Sequence, residues 1–139
     1  MKIQDEIDSQ RRYGEIEFFI EERNEAFVRS RMPITKGILN PYGVVQAGAM
    51  LWLADVTASN LTLVNKKVAD DGRGFPLAIN LSSSFLSNQR EGDIFAESRF
   101  VRKGRKVFVV RTQIMGKENK LLAEITSTHI PVEWPSQKK

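Results

Sequence analysis

Cysteine is absent from the 139 residues. Its absence excludes disulfides, thiolate metal sites and a cysteine nucleophile, and fits a reducing cytoplasm. Histidine occurs once, at His129. A site built from several histidines is therefore excluded, and a Ser-His-Asp triad would have to use that residue. With no acid near it in sequence, His129 reads as structural. Dense Lys/Arg clusters interleaved with aromatics, the usual mark of a nucleic-acid binder, are also missing. The formal net charge is +4, a mild excess that suits an anionic ligand without naming one. The opening MKIQDEIDSQRR lacks the apolar stretch of a signal peptide. The longest apolar-rich run, 44–64, is broken by Gln46, Asp55, Thr57, Ser59, Asn60 and Thr62, so no membrane span is expected.

The chain does have the material for one core. Hydrophobic residues make up 41% and charges of both signs are interspersed. The length suits a single domain over 1–139, with a charged N-terminal arm at 1–13 and a polar tail at 135–139. Ile16, Phe18 and Ile20, then the alternation after Phe27, predict two strands joined near Arg23-Asn24. A loop follows, punctuated by Gly37, Asn40-Pro41 and Gly43. From 45 to 64 the apolar residues occur on nearly every side, which predicts a long central helix. Four Val-, Ile-, Phe- and Thr-rich runs with Gly- or Asn-containing turns complete the chain. The expected class is α+β, an antiparallel sheet of about six strands with one long helix on one face.

The helix carries the candidate chemistry. Its start, at Gln46-Ala47-Gly48, offers unpaired N–H groups and the positive end of the dipole to an oxyanion. Asp55 and Ser59 are four apart and share a face, where they can hold a water between them. The carboxylate can take a proton from that water or attack as a nucleophile. Gln46 and Asp55, however, are nine positions apart, about 13 Å along a helix. One helix does not readily grip one carbonyl at both ends. A symmetric dimer resolves this by bringing the start of one helix to Asp55 of the other.

Residues 40–58, NPYGVVQAGAMLWLADVTA, resemble the signature of the hotdog-fold acyl-CoA thioesterases, the PaaI-like and 4-hydroxybenzoyl-CoA thioesterase group. That signature is N-P-x-G-x-x-H-G-G followed by a helix carrying L-x-D-x-A. INLSSSFLS, the GD turn, RKGRKVFVVRTQI and LLAEITSTH extend the resemblance over nearly all of the chain after residue 15. It implies a hotdog fold, a sheet wrapped around the central helix. It also implies hydrolysis of an acyl-CoA to free acid and CoA, without metal or redox cofactor, in a homodimer or homotetramer. Carried across by position, Asn40 holds the thioester or its loop and the N–H of Ala47 donates to the thioester oxygen. Asp55 of the second subunit is base or nucleophile, and Ser59 positions the water. Two departures stand out. Gln46 replaces the usual histidine and can donate a hydrogen bond but not titrate, and Ala47 replaces a glycine. They leave room for a rival reading, an acyl-CoA or acyl-carrier binder without turnover. A basic nucleic-acid or partner-binding module is a more distant rival.

Other side chains carry a bland and a sharp reading together. Asp55 could pair with a buried arginine. Trp52 and Phe85 read as core or as acyl-pocket lining. Arg102, Lys103 and Arg105, in RFVRKGRK, read as a solvated turn or as contacts for CoA phosphates.

Overall fold

The computed structural model describes residues 2–135, so residues 136–139 of the expected polar tail lie outside it. The elements are α1 (Ile3–Asp8), β1 (Phe19–Arg23), β2 (Val28–Pro33), α2 (Ala47–Thr62), β3 (Pro76–Phe85), β4 (Asp93–Lys103), β5 (Phe108–Met115) and β6 (Leu121–Pro131). The first hairpin closes where expected. Asn24 Oδ1 accepts the N–H groups of Ala26 and Phe27 at 2.8 and 3.0 Å, and Arg23 pairs with Val28. Part of the charged N-terminal arm is helical, as α1. Among the described residues no helix is long and apolar enough to cross a membrane.

All six strands form one antiparallel sheet in the order β1-β2-β4-β5-β6-β3. Chain order alone would set β3 beside β4. Instead α2 carries the chain across the sheet, and β3 lands at the far edge beside β6. The expected class, an α+β sheet with one long helix, is the one observed.

α2 lies on the inner face of the sheet in a regular rhythm. Ala49-Met50, Leu53-Ala54, Thr57-Ala58 and Leu61-Thr62 are buried. The intervening Leu51-Trp52, Asp55-Val56 and Ser59-Asn60 are only half-buried. The buried pairs recur every four residues and so form one face. They pack on Met32, Ile94, Ala96, Ile114, Ala123 and Ile125 in one cluster, and on Val28 and Val110 in a second. Burying a Leu or Met of this set contributes about 1.5–3 kcal/mol. A helix apolar on every side was expected to be covered on every side. One chain covers only half of it, because the sheet offers a single face.

Small hydroxyl residues let the helix approach the sheet. Ser30, Thr57, Ser98, Thr112 and Ser127 are all buried. Ser98 and Thr112 pair at 2.6 Å, and Ser30 and Thr57 also at 2.6 Å. The Thr57 hydroxyl donates to the Leu53 carbonyl at 2.6 Å. A hydroxyl has one proton, so the Ser30 hydroxyl is the donor to Thr57.

β3 is the opposite case. Beyond Pro76 it is largely exposed, and Leu77, Ile79, Leu81 and Phe85 are among its exposed apolar side chains. Leu81 and Phe85 pair with Ser127 and Ala123 and therefore lie on the helix side of the sheet, beyond the reach of α2.

Thr57→Val keeps the shape but removes the acceptor of the Ser30 hydroxyl. It should destabilise by about 1–3 kcal/mol. The double variant Ser30→Ala/Thr57→Val should lose less than the sum of the two single changes, as read from urea denaturation.

Candidate functional site

The chemistry of α2 falls into two halves that one chain does not join. The first is the helix start. Gln46 caps it in extended conformation, and its carbonyl accepts the Ala49 N–H at 3.1 Å. Ala47 and Gly48 are exposed, with N–H groups that bond to no other described backbone group. They are donors of the kind an oxyanion needs. The Gln46 side chain turns back, its Nε2 donating to the Gly37 carbonyl at 3.3 Å, and its own N–H donates to Ile38 at 2.8 Å. At this position Gln46 anchors the helix start to the preceding turn.

Asn40 shapes the loop before it. Its Oδ1 accepts the Val44 N–H at 3.3 Å and its carbonyl accepts the Gly43 N–H at 2.9 Å. Gly43 has φ +91°, which favours glycine. Asn40, Pro41 and Gln46 form one wall of a cavity of about 420 Å³, whose other wall is Ile7, Gln10 and Arg11 of the N-terminal arm. The arm is seated by a close approach between Gly14 and Gly37. A Cβ on Gly37 would lie 2.7 Å from the Gly14 carbonyl carbon.

The second half is a groove of about 250 Å³ between α2 and the β3 edge, lined by Phe18, Asp55, Val56, Ser59, Leu77 and Ala78 among others. Here Asp55 and Ser59 meet, as their spacing implied. The ion pairs of the described residues join other carboxylates, such as Asp93 to Arg31 and Glu124 to Arg111. No described arginine pairs with Asp55, so the bland reading of that residue lacks its partner. Asn60 turns its amide back to the Val56 carbonyl at 2.8 Å.

The remaining candidates separate. Trp52 packs edge-on against Phe18 with ring centroids 5.2 Å apart, so it backs the groove through Phe18. Phe85 is exposed on β3, outside the groove. Lys103 pairs with Phe108 on the helix side, with its Nζ 5.4 Å from the Phe100 ring. Arg102 pairs with Val109 and points to the other face, because the irregularity between Phe100 and Arg102 resets the alternation. Arg105 lines a further groove with Lys66 and Lys67 at the end of α2. Lys66 sits 4.1 Å over the Phe108 ring; burial, and then the charge of Lys103, lower its pKa. These two lysines follow the C-terminal end of the helix, where cations complement the dipole. Their grouping with Arg105 depends on the β4–β5 turn folding back to them.

Among the described residues no group of three or more His, Cys, Asp or Glu is placed to hold a metal ion. His129 reads as structural in the sequence. It is fully buried on β6, and its Nε2 lies 2.8 Å from the Ser127 hydroxyl.

No family model and no curated protein matches the chain. Solved structures do match. A thioesterase from Haemophilus influenzae superposes with a TM-score of 0.73 at 22% identity, over 83% of this chain and 78% of that one. A thioesterase enzyme from Staphylococcus aureus, solved as a mutant, gives 0.75 at 18% identity, over 82% and 92%. A hypothetical thioesterase protein from Streptococcus pneumoniae, solved with coenzyme A, gives 0.73 at 17% identity, over 86% and 92%. At these identities the likeness establishes the fold, and the chain has the hotdog fold.

Burial lowers the His129 pKa, against an opposing effect of the Asp55 charge. A histidine whose folded pKa lies below its unfolded value is protonated more readily when unfolded. Its contribution to stability is complete above the unfolded value, about 6.5, and is lost as pH falls below it. The urea midpoint should therefore drop between pH 7.5 and pH 5, and His129→Gln should flatten that part of the slope.

Proposed function

We propose that this hotdog-fold chain is an acyl-CoA thioesterase whose site is completed by a second copy of itself. The observation that carries the reading is the division of α2. Oxyanion donors sit at Ala47 and Gly48, next to Gln46, which lines the cavity under the N-terminal arm, whereas the carboxylate and hydroxyl of Asp55 and Ser59 line a separate groove. Beside the Asp55 groove runs β3, bonded on one side only and rich in exposed apolar residues. A long apolar edge calls for a cover. Antiparallel pairing of two β3 strands would cover both edges and continue the sheet. It would also bring the start of one α2 toward Asp55 of the other. The thioesterases of the same fold, one of them solved with coenzyme A, support the substrate class.

In this reading Asp55 takes a proton from water, and the hydroxide attacks the thioester carbonyl. The oxyanion accepts from the Ala47 N–H of the other copy, and collapse of the intermediate expels the CoA thiolate. Attack by the carboxylate itself is the variant route. Ser59 orients the water, and Asn40 and Gln46 hold the loop and the helix start. CoA is part of the substrate, and the reaction calls for no metal or redox group. Lys66, Lys67, Lys103 and Arg105 are the cations suited to its phosphates. The protein is proposed to work in the cytoplasm, without nucleic acid or membrane as partner.

A thiol-release assay over a panel of acyl-CoAs tests this, and the absence of cysteine means that the reagent reports only released CoA. Turnover of some member, with Asp55→Ala lowering kcat about 10²–10⁴-fold while staying folded, supports the reading. An inert wild type that still binds CoA and is awakened by Gln46→His favours the non-catalytic binder. Replacing the middle of the edge, Leu81→Arg, should give monomers in sedimentation and abolish turnover. Lys66→Ala with Arg105→Ala should raise KM about tenfold or more at unchanged kcat.

A further inference from the structure

His129 is the chain's one histidine and is fully buried. It stands on β6, paired with Phe108 on one side and Ala78 on the other. Directly paired residues share a sheet face. The imidazole therefore faces α2, next to Ala78, which lines the groove of Asp55 and Ser59. Its Nε2 lies 2.8 Å from the Ser127 hydroxyl. Its Nδ1 has no hydrogen-bond partner, the one buried side-chain polar atom among the described residues of which this is true. Burial lowers the pKa of the ring, and the Asp55 charge opposes that shift.

We propose that His129 is a positioning residue for Asp55. The Ser127 hydroxyl donates to Nε2, which leaves the ring proton on Nδ1, and Nδ1–H donates to the Asp55 carboxylate through one bridging water. One carboxylate oxygen is then held from beneath the helix, and the other is presented to the groove. Ser127, His129 and Asp55 have the residue types of a hydrolase triad, but their roles differ. Ser127 is 1% exposed, under the helix and away from any substrate, so its hydroxyl anchors the ring and attacks nothing. The value of the arrangement rests on the reading of Asp55 as the group that activates water.

The single histidine makes the test direct. Protein labelled with ¹⁵N-histidine shows one pair of ring nitrogens at neutral pH. The wild type is expected to carry its proton on Nδ1, and Asp55→Ala to move it to Nε2, where it donates to Ser127. A wild-type proton on Nε2, or ring shifts unchanged by Asp55→Ala, would overturn the proposal. This readout needs no substrate. If the tautomer moves but no thioester is hydrolysed, the contact stands and the thioesterase reading fails; if hydrolysis occurs and the tautomer does not move, the reverse holds. Kinetics supply the second arm. His129→Asn keeps a nitrogen near Nδ1, and His129→Gln keeps one near Nε2. His129→Gln should lower kcat up to about a hundredfold at unchanged KM, with His129→Asn recovering part of the loss. Equal losses in the two variants would count against positioning.

Discussion

Everything in this protein follows from how α2 lies on its sheet. The pairs Ala49-Met50, Leu53-Ala54, Thr57-Ala58 and Leu61-Thr62 are buried in succession. Alanines and hydroxyl residues at the contact bring the helix axis close, and the Ser30–Thr57–Leu53 chain of hydrogen bonds ties it to β2. With that face committed, the next two positions of each turn must look away from the sheet. Asp55 and Ser59 are among them, and so they meet at the groove.

The crossing of α2 also decides where β3 goes. By carrying the chain over the sheet it delivers β3 to the edge beside β6. The edge strand that lacks a partner is thus the strand next to the Asp55 groove. An unpaired apolar edge and a carboxylate without an ion-pair partner among the described residues lie side by side, and a second copy of the chain suits both. Beneath them lies a buried imidazole whose Nδ1 has no hydrogen-bond partner among the described residues.

Much of this was legible beforehand because it depends on local rules. Alternation and turn residues located the strands: Asn24 marked the first hairpin and Gly- or Asn-containing turns separated the last four runs, although β1 begins at Phe19, three residues after Ile16. Asp55 and Ser59 could be placed together because four residues is one helical turn. Other features depend on contacts between distant segments. Arg102 and Lys103 are adjacent in sequence yet face opposite sides of the sheet, through an irregularity that no spacing announced. Trp52 meets Phe18 across 34 positions, and Lys66 meets Phe108 across 42.

The sequence by itself determined the order and type of the elements, the single helix among strands, and the residue types available for chemistry. Periodicity and turn chemistry act within a few residues of the chain, which is why they can be read there. Only the tertiary structure decided which side of α2 would be left uncovered. Leu51, Trp52 and Val56 on the half-buried side are as apolar as Met50, Leu53 and Leu61 on the buried one, so hydrophobicity could not distinguish the two faces. The choice falls to packing, because the small side chains at Ala49, Ala54, Thr57 and Ala58 let that face alone come close to the sheet.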